Sequence, residues 1–271
     1  MKELSHIMSI VAFASFLPIC VFALRKHPSG YIYWLLLLCP LVVSIAFCLH
    51  RTLNSWHSDF VTSLWVSIAT ALTLFTLISV RSMDMRRLTI LFLPYMALFA
   101  ASAIMWSFLL GFDTVDAPMA STNSVWLLIH IVSSVLTYAL ITLAATSALA
   151  VYIREWALKA KRKSDYIDLL PSMADGERLQ IRLMVMSEII LGAGLLSGVA
   201  TQFMISGGWI SLDHKILLSL AAFVVLGVLL FAHFKTGIRG QKAARVLLLC
   251  YLLVTMGFPG LKFVTDVLIG A

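Results

Sequence analysis

Charge is scarce in this sequence of 271 residues. Asp, Glu, Lys and Arg make up 12% of it, whereas a soluble domain carries about 25%. Hydrophobic residues make up 61%, and they form runs long enough to cross a bilayer, which takes ~20 residues per helix. The composition excludes an ordinary water-soluble domain and indicates a polytopic membrane protein embedded in a lipid bilayer.

Cysteine is scarce, and the common catalytic motifs are absent. The four cysteines all lie inside apolar runs, and no two of them form a CxxC pair; they are Cys20, Cys39, Cys48 and Cys250. This pattern supports neither a thiol–disulfide site nor a cysteine-based zinc site. A Gly-rich phosphate-binding loop and a dinucleotide or hydrolase motif are absent from the sequence too. We therefore expect a protein that is not an enzyme.

Hydropathy predicts the fold class, an all-α polytopic bundle of about eight membrane helices. The predicted spans are 5–24, 31–50, 59–80, 88–110, 125–152, 182–206, 214–234 and 245–269. We expect residues 1–271 to form a single integral membrane domain whose longest inner loop is about 153–181. In that loop, Pro171-Ser172 followed by Asp175 predicts a helix start with a capping acid. A short surface helix would then lead into the sixth span.

The net charge of +7 is explained by topology. Sixteen of the twenty Lys and Arg residues fall in the first, third, fifth and seventh loops; the other side holds Lys2, Arg51, Lys215 and Lys262. Positive residues concentrate on the cytoplasmic side. We therefore expect both termini outside, in a multi-pass protein of the bacterial inner (cytoplasmic) membrane. No nucleic-acid partner is expected.

This orientation divides the seven histidines between the two faces. Five fall at or near the outer face and two at the inner face; the outer ones are His6, His50, His57, His130 and His214, and the inner ones are His27 and His233. Haem iron takes axial imidazole ligands in an apolar, aromatic wall. The outer histidines can share a haem site. Interfacial anchoring is the alternative interpretation.

The fifth span carries a polar stripe. His130, Ser134, Thr137 and Tyr138 recur at helical spacing below its outer end. Polar side chains inside a membrane face the bundle interior, so we expect His130 to point inward. The stripe indicates either hydrogen bonding between helices or a cofactor site.

The sixth span combines small residues with one acid. Gly194 and Gly198 form a small-xxx-small face that predicts helix packing. Glu188 lies nearer the inner side, where Arg182 and Lys235 are predicted, so we expect it to form a local ion pair.

A polar rim precedes the seventh span, in the sequence GGWISLDHKILLSL. Asp213, His214 and Lys215 follow Trp209 at the predicted outer mouth of the helix. An acid suits a helix N-terminus, and a lysine there extends toward the interface. The rim is either an N-terminal cap with an interfacial lysine or a surface that receives haem or a partner.

Two stretches bear a resemblance to a known family. They are WLLIHIVSSVLTYALITLAATSALAVYIRE and IILGAGLLSGVATQFMISGGWISLDHKILLSLAAFVVLGVLLFAHFKTGIRGQKAARVLLLCYLLVTMGFPGLKFV. The chain resembles the cytochrome c assembly protein family over about residues 120–270. Within it, the chain looks most similar to the HemX/YpjD-like branch, eight-helix inner-membrane relatives of the CcsA and CcmC haem-handling proteins.

The resemblance implies roles for particular residues. His130 matches the family's outer-face histidine, an expected axial ligand of haem iron. Trp209, Asp213 and Lys215 match part of the family's tryptophan-rich outer loop, which ends Trp-Asp-Pro-Lys-Glu. His214 replaces the proline there, and we expect it to be a candidate second ligand. His233 matches an inner histidine of a membrane haem-transit site.

The predicted function is haem binding or haem handling in the inner membrane, in cytochrome c assembly or haem metabolism. Haem is the expected cofactor. The alternative is a non-haem membrane scaffold or an accessory regulator of a metal-ion transporter. Candidate partners are other cytochrome c assembly proteins or transporter proteins.

Overall fold

A computed structural model describes residues 2–25, 28–54, 60–110, 125–161, 164–206 and 214–257. In these residues the regular secondary structure is helical. The helices, in chain order, are α1 (Lys2–Ala14), α2 (Phe16–Arg25), α3 (Tyr31–Asn54), α4 (Phe60–Arg81), α5 (Met83–Arg87), α6 (Thr89–Leu110), α7 (Val125–Lys159), α8 (Asp165–Leu169), α9 (Met173–Ser206), α10 (His214–Thr236) and α11 (Gly240–Thr255).

Seven stretches of the described chain are long and apolar enough to cross a membrane. They are His6–Arg25, Tyr31–Thr52, Phe60–Arg81, Thr89–Phe108, Val125–Lys159, Met173–Met204 and Ile216–Thr236. They correspond to the first seven predicted spans. Helix α11 covers the start of the eighth prediction, 245–269, and residues 258–269 lie outside the described part of the chain. The prediction of a polytopic helical bundle in a lipid bilayer is thus confirmed.

The first span is two helices rather than one. Helix α1 ends at Ala14, and α2 begins at Phe16 after a break at Ser15. Pro18 has no N–H to donate to the carbonyl of Ala14, and its ring crowds that carbonyl. The Ser15 hydroxyl bonds the Ala12 carbonyl at the same place. A proline near the middle of an apolar run therefore interrupts the helix without ending the span.

Helix α7 is the central helix of the bundle. Every residue from 137 to 148 is buried, because α4, α6, α9 and α11 all pack around it. A helix that is apolar on all sides is expected in such a position. Ala139, Ala144 and Ala148 are fully buried, and side chains this small allow neighbouring helices to approach closely.

The predicted inner loops meet at one end of the bundle, where carboxylates cap α11. The Glu177 Oε1 atom accepts the backbone N–H of Gly240 at 2.9 Å. The Glu155 Oε2 atom accepts the N–H of Gln241 at 2.7 Å. Lys159 donates to the other oxygen of Glu155 at 2.6 Å. Two acids from α7 and α9 thus satisfy the first donors of α11 and bind three helices together.

The predicted inner loop 153–181 is largely helical. Helix α7 continues to Lys159, α8 follows as a short separate helix, and α9 begins at Met173. The predicted start at Ser172 is confirmed: its Oγ accepts the N–H of Asp175 at 3.2 Å and donates to the Asp175 carboxylate. However, α9 runs unbroken to Ser206. The expected surface helix is therefore the first part of the helix that spans the membrane.

Gly237, in the turn before α11, and Gly240, the first residue of α11, provide a matched test of the cap. Gly237 and Gly240 have φ of +69° and +63°. Alanine at either position would have to adopt this left-handed backbone conformation, which costs roughly 1–2 kcal/mol of stability. An added Cβ has open space at Gly237 but meets the Glu155 carboxylate at Gly240. We expect Gly240→Ala to lower the free energy of unfolding by about 1–2 kcal/mol more than Gly237→Ala does, because the N–H of Gln241 loses its acceptor. Denaturant unfolding in one detergent measures the difference, and equal losses would contradict the cap.

Candidate functional site

The ring of His130 is held between α7 and α9. Its Nδ1 lies 2.9 Å from the backbone carbonyl oxygen of Gly194, and since a carbonyl only accepts, Nδ1 carries the hydrogen. The ring is half-buried and lies against α9 rather than pointing to lipid, the orientation expected from the polar stripe. It is five positions along the helix from Val125, the first residue, so it lies ~8 Å from that end.

The two glycines of α9 provide the space for this ring. A Cβ added at Gly198 would lie 3.0 Å from Cε1 and 3.1 Å from Nδ1 of His130. A Cβ added at Gly194 would lie 3.0 Å from the Ser133 Oγ. The small-xxx-small face therefore packs against a helix, as predicted. That helix is α7, and the contact includes His130, the candidate ligand.

The hydrogen bond to Gly194 selects the tautomer of His130. With Nδ1 protonated, the neutral ring presents the Nε2 lone pair. Histidines that bind metals characteristically donate the other ring N–H to a carbonyl or carboxylate, which fixes the ring orientation and raises ligand basicity. His130 has this arrangement, and nothing in the sequence pattern pointed to Gly194 as its partner.

The lower part of the polar stripe joins a cluster of tyrosines. Tyr138 is buried, and its hydroxyl lies 3.3 Å from that of Tyr251 on α11. The Tyr251 hydroxyl also bonds that of Tyr95 on α6. The ring of Tyr138 stacks on Phe99, with centroids 6.2 Å apart. Tyr138 thus links three helices, and the sequence carried no signal that Tyr95 and Tyr251 would meet it.

The serines beside His130 form hydrogen bonds within α7 itself. Ser133 and Ser134 donate their hydroxyls to the His130 carbonyl at 3.0 and 2.7 Å. The Thr137 hydroxyl is buried, and it has no hydrogen-bond partner among the described residues. Of the stripe residues, His130 is therefore the ligand candidate, and within the described part of the chain Tyr138 alone among the other three forms a hydrogen bond to another helix.

His233 lies at the opposite end of the bundle, in the last turn of α10. Its Nδ1 donates to the carbonyl of Ile238 at 2.8 Å, which closes the turn leading to α11. The Phe234 ring packs edge-on against it, with centroids 5.4 Å apart. The Nε2 lone pair is again the one presented. His130 and His233 therefore belong to separate sites at the two ends.

The predicted rim lies largely outside the described residues. Trp209 and Asp213 lie outside the described residues. His214 is the first residue of α10, and Lys215 follows it, but their side chains also lie outside what the structure describes. The helix start expected at this point is confirmed.

Glu188 does not form the expected ion pair. Among the described residues no ion pair joins it to Arg182 or Lys235, and its buried Oε2 has no hydrogen-bond partner. Its Oε1 would lie 3.0 Å from a Cβ added at Gly227 of α10. The carboxyl points across to the neighbouring helix because its position on α9 faces α10. The ion pair expected from its predicted depth in the membrane was therefore wrong.

No group of three or more His, Cys, Asp and Glu side chains that could hold a metal ion occurs in the described part of the chain. The fold and site together define a polytopic membrane protein with an imidazole held between α7 and α9 near one end of its bundle.

The sequence matches the model of the cytochrome C assembly protein family. The match covers residues 29–269, and the chain belongs to this family. Membership supports a role in cytochrome c biogenesis or haem handling, within a membrane-bound assembly system.

A curated relative is similar along almost the whole chain. It is described as an uncharacterized 28.8 kDa protein in the nifR3-like 5' region of Azospirillum brasilense. The two are 38% identical over 273 residues, which cover 97% of this chain and 98% of the relative. No solved structure matches the chain.

The tyrosine cluster can be tested against its unpaired neighbour. Tyr251→Phe removes the hydroxyl that contacts both Tyr95 and Tyr138, so we expect the free energy of unfolding to fall by about 1–2 kcal/mol. Thr137→Val removes a buried hydroxyl without a described partner and should change it by less than ~0.5 kcal/mol. Thermal unfolding in detergent compares the two. A Thr137→Val loss as large as that of Tyr251→Phe would contradict the assignment of the hydrogen bonds.

Proposed function

We propose that this chain is a haem-binding, haem-handling protein of the bacterial inner membrane that acts in cytochrome c assembly or haem metabolism. The single observation that carries the proposal is the His130 ring, whose Nδ1 bonds the Gly194 carbonyl at 2.9 Å and whose Nε2 lone pair is thereby presented. We also propose that the chain is of the HemX/YpjD-like type and that it binds and presents haem without catalysing a reaction.

The residues present fit haem. An imidazole whose second nitrogen is fixed by a carbonyl would be a suitable donor for haem iron. Haem, when bound, supplies the iron centre and the absorbance that reports its ligation. The chain's own contribution is to hold one ring nitrogen toward the iron and to fix the ring's orientation.

The remaining candidates complete the proposal. His214 is the proposed second outer ligand, and Trp209, Asp213 and Lys215 are the proposed rim that receives haem. His233 is proposed for a separate inner site, because its Nδ1 is also bonded to a carbonyl. Other cytochrome c assembly proteins or transporter proteins are the proposed partners.

One observation favours a second function, a non-haem membrane scaffold or an accessory regulator of a metal-ion transporter. The contacts that orient His130 are also helix-packing contacts with Gly194 and Gly198. A ring that only packs α7 on α9 would leave a protein without pigment, so absorbance separates the two functions.

The absorption spectrum tests the proposal directly. Protein purified in detergent from haem-replete cells should show a Soret band, and His130→Ala should lower its intensity by about tenfold because the imidazole supplies the iron–nitrogen bond. Ser134→Ala is the matched control, since this serine only bonds the carbonyl of His130 in its own helix. Colourless wild-type protein that also fails to bind added haemin would overturn the proposal in favour of the scaffold.

The orientation of the ring has its own test. Gly198→Ala places a methyl group 3.0 Å from the imidazole and should displace it from Gly194, so we expect a shifted Soret maximum and several-fold weaker haem retention. Gly192→Ala is the control on the same helix, where the new methyl meets Phe223 at 3.3 Å instead. Both substitutions raise helix propensity by about 1 kcal/mol, so unfolding is measured alongside. Identical spectra for both variants would show that ring orientation does not govern binding.

A further inference from the structure

The inner end of the bundle contains a half-open cavity that the proposed haem site does not use. Its volume is about 680 Å³, and it lies between the end of α2 and the short helix α8. This size is within the range of ~300–1,000 Å³ that is typical of small-ligand sites. Phe22, Leu24 and Arg25 line it from α2, and α8 contributes the other wall.

Among the described residues, side chains of both charges line this cavity without forming ion pairs with one another. Arg25 comes from α2, and Asp165 and Asp168 come from α8. In the described part of the chain, no ion pair or hydrogen bond joins Arg25 to either acid. A cation and two carboxylates thus face one space from opposite walls, and a ligand with a negative group and a cationic N–H group matches them.

The acidic wall is held in place by the central helix. The Arg154 Nη2 of α7 donates to the carbonyl of Ile167 at 3.2 Å and to that of Leu170 at 3.1 Å. Leu170 is buried beneath α8, at 3% exposure. Two hydrogen bonds and a buried anchor therefore fix α8, so a ligand does not have to order this wall.

The cavity lies where lipid headgroups are expected. Leu17, Val21 and Leu24 are exposed on α2, and in a membrane such side chains face acyl chains. Arg25 is the next residue, in the last turn of the helix. Exposed Tyr166 on α8 is a typical side chain for the interface between hydrocarbon and water.

We propose that this cavity binds the headgroup of a zwitterionic phospholipid with a primary ammonium, that is, phosphatidylethanolamine from the inner leaflet. The phosphate lies against Arg25, the ammonium donates to Asp165 and Asp168, and the acyl chains follow Leu24 and Val21 along α2. Charge-assisted hydrogen bonds of this kind are stronger than hydrogen bonds between neutral groups.

Other common lipids match the walls less well. A choline headgroup carries positive charge but no N–H to donate. An anionic glycerol headgroup has no cation for the two carboxylates, and among the described lining residues those two acids outnumber the one arginine. The expected order of binding is therefore ethanolamine, then choline, then glycerol headgroups.

Native mass spectrometry of the full-length protein, delipidated in detergent and titrated with each lipid, tests the proposal. Arg25→Gln and Asp168→Asn should each weaken phosphatidylethanolamine binding by about tenfold and remove the preference over phosphatidylcholine. Arg81→Gln and Asp84→Asn are matched controls, because neither residue lines the cavity. Asp168→Arg should reverse the selectivity toward phosphatidylglycerol, a gain that misfolding does not produce.

Three results would overturn the proposal. One is equal binding of the three lipids by the wild type, and another is unchanged selectivity in Asp168→Arg. The third is displacement of the lipid by soluble phosphoethanolamine at equal concentration, which would assign the cavity to a free phosphate ester. Haem absorbance of the Arg25 and Asp168 variants should equal that of the wild type, so this test is independent of the proposed function.

Discussion

The close approach of α7 to α9 is the contact on which the other features depend. Between helices in lipid there is little hydrophobic driving force, so association relies on van der Waals packing and hydrogen bonds. Small residues at both surfaces make such packing possible. At Gly194 and Gly198 the α9 backbone comes near enough for a ring on α7 to reach its carbonyl. A larger side chain at either position would separate the helices and remove the bond.

The same contact gives one set of residues two roles. The Gly194 carbonyl orients the imidazole of His130, and the imidazole in turn fills the space that the glycines leave. Packing and ligand orientation therefore depend on the same few atoms. At the other end, His233 uses its Nδ1 in the same way to close a turn, which shows that one hydrogen-bond pattern serves both ends of a bundle with different surroundings.

At the predicted inner end, charged side chains bond the ends of several helices. Glu155 and Glu177 cap α11, and Arg154 fixes α8. Each of these side chains bonds backbone groups at helix ends that would otherwise lack partners. Because these anchors come from α7 and α9, the arrangement of the inner loops follows from the same central pair. The cavity beside Arg25 exists because α8 is held against the bundle and not released to solvent.

Sequence alone determined the approximate positions of the spans, the helix start at Ser172 and the inward direction of His130. These depend on transfer free energies and local capping, which each segment carries with it. Tertiary structure decided that His130 bonds Gly194, that Tyr95, Tyr138 and Tyr251 meet, and that Glu188 faces Gly227 instead of a cation. Those outcomes require knowing which helices are neighbours and how each is rotated, and that is set by side-chain packing between segments far apart in the chain.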